Sequence, residues 1–182
     1  MSTLTQPRQA LPVGTWQIDP VHSQVAFGIK YNGGRFRGTF SPVTATLEVD
    51  DGGRAALAGS APVAGVHVQD ENLAAHLLSP DFFDAERTPE LRFSSDEIVR
   101  AGDSVTIAGE LTIRGVTEPV ELRGTIGEPL VDAYGRERFA LDLAGSVDRT
   151  RFGIDWNLAL PNGQPALAND VELTAELYLV KA

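Results

Sequence analysis

The chain has 182 residues, of which 42% are hydrophobic, and a net charge of −10 with a pI near 4.7. That length suits one domain with a substantial core, and the acidic balance argues against a phosphate-neutralising nucleic-acid surface and against docking on anionic membranes. The absence of cysteine removes disulfides, thiolate nucleophiles and zinc–thiolate sites, and no apolar run approaches the roughly 18–20 residues of a membrane-spanning helix.

Residues 1–12 are polar and proline-punctuated, and they are predicted to be a disordered arm ahead of a single domain over residues 13–182. They lack a charged region followed by an apolar one, so a cytoplasmic location is expected, although a processed secreted form would read the same. The first long alternation puts Ser23, Val25, Phe27, Ile29 and Tyr31 on one face, the period of a strand with one buried side. Asn32-Gly33-Gly34 marks a hairpin turn. The return strand places Phe36, Gly38 and Phe40 inward. After Ser41-Pro42 the apolar set becomes Val43, Ala45, Leu47 and Val49, a change of parity that requires a bend near Pro42. Asp51-Gly52-Gly53 turns into a strand carrying Leu57, Gly59, Ala61 and Val63.

Residues 71–79 carry the helix expected in this chain, and the aromatic turn Asp81-Phe82-Phe83-Asp84 follows it. Strand alternation then resumes with Leu91 and Phe93. Further alternations run through Val105–Ile113, Val120–Ile126, Phe139–Val147 and, after a long loop over residues 149–169, Val171–Leu179. About eight strands in hairpin succession predict an all-β, eight-stranded antiparallel meander barrel with one short helix inserted; a two-sheet sandwich is the competing arrangement. Gly38, Gly59, Gly109, Gly124 and Gly145 fall in the inward register, where they either leave a void or relieve crowding at coiled strands. On the void reading, Leu at Gly109 or Gly145 should block the cavity.

The polar candidates are sparse. His22, His67 and His76 have no metal-ligand spacing, so no metal site is assigned, and no cofactor fingerprint is present. Asp81 and Asp84 read as turn chemistry rather than as an acid–base pair. No nucleophile elbow or phosphate loop occurs, and nothing in the residues indicates an enzyme. Arg149, in a stretch with Phe152 and Trp156, either contacts a polar head group or braces the barrel end through an ion pair with Asp19 or Asp148. Bracing is the commoner role for an isolated arginine.

Several stretches together resemble the YceI-like family of lipocalin-like proteins. They are Trp16-x-x-Asp19-Pro20-x-His22-Ser23-x-x-x-Phe27, Gly38-x-Phe40, His76-Leu77-x-Ser79-x-Asp81-Phe82-Phe83-Asp84, Pro89-x-Leu91-x-Phe93-x-Ser95, Gly109-x-Leu111-Thr112-Ile113-Arg114-Gly115-Val116-Thr117, Arg149-x-x-Phe152-Gly153 and Asn169-Asp170-Val171. Their order spans nearly all of residues 14–180. The resemblance implies a lipocalin-like barrel whose lumen holds a polyisoprenoid or isoprenoid quinone-like lipid, for transport or storage. Many members carry a secretion signal, which this chain lacks, and His67-Val68-Gln69 departs from the usual family pattern.

The combined expectation is non-enzymatic binding of a long apolar ligand. Phe27, Ile29, Phe36, Phe40, Phe93, Leu111, Ile113, Phe139 and Leu141 are expected to line the lumen, with Phe82, Phe83 and Trp156 at the mouth and Arg149 beside the ligand. Two alternatives stand beside it. One is an enzyme on a hydrophobic substrate using His22, Asp19 and Arg149 near one barrel end; the other is a packed barrel acting through a protein interface, such as a homodimer.

Overall fold

The computed structural model describes residues 8–182. In chain order the strands are β1 (Arg8–Gln9), β2 (Gly14–Ile18), β3 (Gln24–Tyr31), β4 (Gly34–Phe40), β5 (Thr44–Val49), β6 (Ala55–Pro62) and β7 (Val66–His67). Helix α1 (Glu71–Leu78) follows, then β8 (Glu90–Ala101), β9 (Ser104–Ile113), β10 (Val116–Ile126), β11 (Leu130–Val131), β12 (Glu137–Asp148) and β13 (Leu167–Lys181). Two 3₁₀ turns, Val63–Gly65 and Arg149–Phe152, join β6 to β7 and follow β12.

The strands close into one eight-membered antiparallel barrel, as the alternation predicts. β2 and β3 act as two halves of one bent strand, since both pair with β13, through Ile18↔Leu179 and Phe27↔Leu173. β4 and β5 form the next bent strand, through Val25↔Phe40 and Trp16↔Leu47. The ring continues through β6, β8, β9, β10 and β12, and the β12–β13 pairing closes it from Arg138↔Val180 to Asp148↔Asp170. Closure pairs every strand of the ring on both sides over at least part of its length, which limits the aggregation hazard of an open sheet.

The first bend has a local cause. Between β2 and β3, Asp19 accepts from the Val21 N–H through its carboxylate (3.0 Å) and from the Ser23 N–H through its carbonyl (3.0 Å). The Ser23 hydroxyl then accepts from the Tyr178 N–H at 2.9 Å, which returns the chain to β13. Between β4 and β5 the Ser41-Pro42 peptide is cis, and the inward set changes from Phe36 and Phe40 to Ala45, Leu47 and Val49. The parity change read in the sequence falls at that corner.

One end of the barrel is solid. Trp16 is fully buried, its indole N–H donates to the Pro12 carbonyl at 3.0 Å, and its ring meets Phe139 edge-on at 4.7 Å. Leu11, Leu47, Ile107, Leu141 and Leu179 pack in the same cluster. The expected disordered arm therefore needs correction over its last residues: Arg8 and Gln9 pair with Ala101 and Arg100, and Leu11 is buried. An apolar side chain that enters a core offsets the entropy of ordering the backbone that carries it. The rest of that arm, residues 1–7, lies outside the described residues. The last strand also starts two residues before the predicted loop ends, because Leu167 pairs with Tyr31 ahead of a bulge.

Candidate functional site

The other end is hollow. A cavity of about 450 Å³ lies above a floor that includes Leu57, Leu122, Leu143 and Leu177, inside the size range of small-ligand pockets (~300–1,000 Å³). Its wall comes from inward positions of β3, β4, β6, β8, β9 and β13, and its roof from α1, the turn after it and the loop after β12. Almost all of the surface facing the space is apolar.

The roof is built by local rules. Asp70 caps α1, its carboxylate accepting from the Leu73 N–H at 3.0 Å, and Ser79 ends the helix with its hydroxyl donating to the His76 carbonyl at 2.6 Å. Leu73, His76 and Leu77 recur at helical spacing and face the cavity. The following turn is held by the Phe83 N–H donating to the Leu77 carbonyl (2.9 Å) and the Asp84 N–H to the Ser79 carbonyl (2.9 Å). The Thr88 hydroxyl donates back to the Phe83 and Asp84 carbonyls. Phe83 then meets Phe40 edge-on at 5.6 Å. The His76 ring is wedged between Phe82 at 5.0 Å and Trp156 at 4.8 Å, with its Nε2 3.0 Å from an Asp81 carboxylate oxygen.

Most of the expected lining residues border this cavity: Phe27, Ile29, Phe36, Phe40, Phe93, Leu111 and Ile113 in the wall, and Phe82, Phe83 and Trp156 at the roof, with Arg149 beside them. Phe139 and Leu141 do not. They belong to the solid end, where Phe139 packs on Trp16 and Leu141 is 2% exposed, so their assignment to the lumen is corrected. Alternation fixes which face is inward, whereas height along the barrel axis depends on strand register. Residues missed in the sequence include Leu73, Leu77, Ile154 and Leu173; the helical spacing of the first two was the available signal.

The inward glycines do not create the void. At Gly38 and Gly109 the missing side chain's place is taken by the Phe27 and Phe93 rings, 2.6 and 2.7 Å from where a Cβ would stand. At Gly124 and Gly145 the backbone of the neighbouring strand comes that close instead. Only Gly59 of the five borders the cavity. Leucine at Gly109 or Gly145 would thus collide with strand backbone rather than fill the lumen.

Arg149 is 4% exposed and has no carboxylate within salt-bridge range. Its Nε donates to the Ala168 carbonyl (2.8 Å), and its Nη1 to the Ile154 and Trp156 carbonyls (both 2.9 Å). These bonds tie the loop after β12 to the barrel, so the arginine braces, with carbonyls in place of the expected Asp19 or Asp148 carboxylate. Burial lowers its pKa from the ordinary range, while the charges of Asp155 and Asp148 act the other way. Asp148 instead caps the 3₁₀ turn, and the Thr150 hydroxyl and N–H hold its carboxyl below the usual carboxylate range.

Asp19 and His22 sit at the opposite end of β12. The His22 Nδ1 is 2.7 Å from the Asp19 carboxylate, and that bond holds the Asp19 pKa down against partial burial. Arg138 lies 3.6 Å from Asp19 and 2.8 Å from Asp132. Ten residues of strand, on the order of 33 Å, separate Arg138 from Asp148 next to Arg149. The grouping of His22, Asp19 and Arg149 at one barrel end is thereby corrected. His67 pairs with Thr39 from β7, and no group of three or more metal-capable side chains converges among the described residues.

Comparison with known proteins places this geometry. Residues 16–179 match the YceI-like domain family. A UPF0312 protein of Staphylococcus epidermidis is 29% identical over 167 residues, covering 88% of this chain and 94% of the relative. The crystal structure of Burkholderia cenocepacia BcnA superposes with a TM-score of 0.74 at 21% identity, over 88% of this chain and 98% of that one. A polyisoprenoid binding domain from Saccharophagus degradans superposes with a TM-score of 0.69 at 10% identity, over 92% and 98%. At such identities the two structures establish the shared fold. Among the described residues no helix is long and apolar enough to cross a membrane.

Proposed function

We propose, from the premise that this chain belongs to the YceI-like family, that it is a non-enzymatic binder of a long-chain apolar ligand. The ligand class that fits best is a polyisoprenoid or isoprenoid quinone-like lipid. The observation that carries the reading is the cavity itself: about 450 Å³, roofed by aromatic side chains and lined almost wholly by carbon. Each methylene moved from water into such a lumen contributes ~0.8 kcal/mol before the chain's ordering cost. The polyisoprenoid binding domain of Saccharophagus degradans, which shares the fold, supports the class of ligand.

Phe27, Ile29, Phe36, Phe40, Phe93, Leu111 and Ile113 would contact the chain, and Phe82, Phe83 and Trp156 would close over its outer end. The reading is tested by organic extraction of the purified protein and mass spectrometry of the extract. A polyprenyl species at near-stoichiometric yield is expected. A protein that emerges empty and takes up no prenyl alcohol offered to it would overturn the reading. Turnover of a bound prenyl species that is lost in His22→Ala would favour an enzyme instead.

A further inference from the structure

Trp156 borders the cavity at its roof. Two basic side chains of the cavity border meet this residue from different sides: the His76 ring lies against its indole at 4.8 Å, and Arg149 donates to its carbonyl at 2.9 Å. The other basic residue bordering the space, Arg92, is 71% exposed and paired to Glu90. Trp156 therefore marks the place where a ligand's polar head could be met.

Arg149 is incompletely satisfied there. A guanidinium has five N–H donors. Three are used well, on Ala168, Ile154 and Trp156, whereas Nη2 has only the Asn169 side-chain oxygen at 3.5 Å, the limit of a hydrogen bond. The charge is 4% exposed, and no carboxylate stands within 4 Å. The charges of Asp155 and Asp148 reach this cation only from beyond ion-pair distance, and a bound anion in direct contact would offset more of its burial cost. For loop bracing alone, the carbonyl bonds from Nε and Nη1 suffice.

The geometry points to a head-group subsite at Arg149 Nη2, with His76 as a second contact, that selects single-chain amphiphiles carrying an oxyanion, a carboxylate or a phosphate, over their neutral counterparts. The inference rests on the apolar cavity being the ligand site. An oxyanion is the strong acceptor for a guanidinium edge, and the low dielectric around the site strengthens the bond. Without the arginine the preference would reverse, because an ionised head loses far more hydration than a hydroxyl on entering an apolar lumen.

The test compares probes of matched tail on the intact protein, well above the carboxyl pKa: hexadecanoate against hexadecanol, and geranylgeranyl phosphate against geranylgeraniol. The oxyanion of each pair is expected to bind about tenfold tighter or more. The carboxyl carbon of bound, isotope-labelled hexadecanoate should also titrate by NMR at a lower pH than the free acid. Arg149→Gln should abolish or reverse the discrimination; if that variant fails to fold, the wild-type pairs and the titration decide. Equal affinity within each pair, or tighter alcohols, overturns the subsite and leaves the cavity reading intact. Failure of all four probes to bind overturns both. Inorganic phosphate that binds as tightly as the tailed phosphate would make this a site for a free anion and overturn the amphiphile assignment.

Discussion

Ala175→Phe separates a hollow lumen from a packed one. Ala175 borders the cavity from β13, paired with Val25 across to β3, so a larger side chain there projects into the space rather than into a neighbouring strand. In a filled core, the added ring would force off-rotamer packing at a cost of about 1–3 kcal/mol. For a chain of this length, each kcal/mol moves Tm by about 2–4 °C, so a packed barrel should lose several degrees. In a 450 Å³ void the ring has room, and Tm should hold or rise slightly. The ring occupies the space of about six methylenes; at ~0.8 kcal/mol each, displacing them from the lumen weakens a long-chain ligand by up to about 5 kcal/mol. The ceiling is between about three and four orders of magnitude in Kd, and at least a tenfold loss should survive if the chain coils around the ring. Thermal denaturation of the empty protein and displacement of a fluorescent prenyl probe read the two quantities. A variant that melts several degrees lower refutes the void, and one that binds the probe unchanged refutes the lumen as its site.

Asp70→Ala removes the cap of α1 and should cost about 1 kcal/mol locally; amide exchange should speed up over residues 71–78 with the barrel strands unchanged, and ligand release should accelerate. Slow exchange in that segment would show that the roof does not depend on its cap. Trp16→Ala at the solid end should cost about 3–5 kcal/mol, read as a drop in the denaturation midpoint, because the indole is fully buried against Phe139. Ser95→Ala should cost about 1–3 kcal/mol: its hydroxyl donates to the Ala108 carbonyl at 2.5 Å and accepts the Glu97 N–H at 3.1 Å within the bulge of β8, and both would be left unpaired. Asp19 has a pKa lowered mainly by its bond to His22, so its contribution to stability is fully present above the unfolded carboxyl pKa and fades as the pH falls through the lower folded value. Asp19→Asn should flatten that acid limb in denaturant titrations taken across pH, and parallel curves for the two proteins would sink the assignment.

The barrel was legible because period-two alternation is a local signal with a global meaning. Val25 to Tyr31, Val105 to Ile113 and Phe139 to Val147 each name an inward face without reference to the rest of the chain. The parity change at Pro42 and the turn chemistry of Asn32-Gly33 were legible for the same reason. What alternation omits is height. Phe139 and Ile113 both point inward, yet one lies at the level of Trp16 and the other at the roof, a difference set by registers such as Phe139↔Leu179 that join distant segments. Leu11 was lost to the arm for a related reason: a short apolar segment among polar residues gains its partner from β8, about ninety residues away.

The roof was partly legible: the helix and the turn Asp81–Asp84 were read from local signals, whereas Leu73 and Leu77 were missed although their helical spacing lies within a few residues. The bracing role of Arg149 was read but its partners were not, since they are carbonyls of the loop after β12 and of β13, and a carbonyl has no side-chain identity to read. That contrast bears on function. The polar residues that make the sequence distinctive, Asp19, Ser23, Ser79 and Ser95, hold corners, caps and a bulge, while the cavity wall is built from Phe, Ile, Leu and Val that would serve many apolar chains equally well. A wall of that kind sets capacity through its volume and confers little discrimination among tails, because one methylene more or less is worth only ~1–3 kcal/mol. Discrimination among ligands must then come from the few polar atoms that border the cavity, and the subsite proposed at Arg149 is where it would be read.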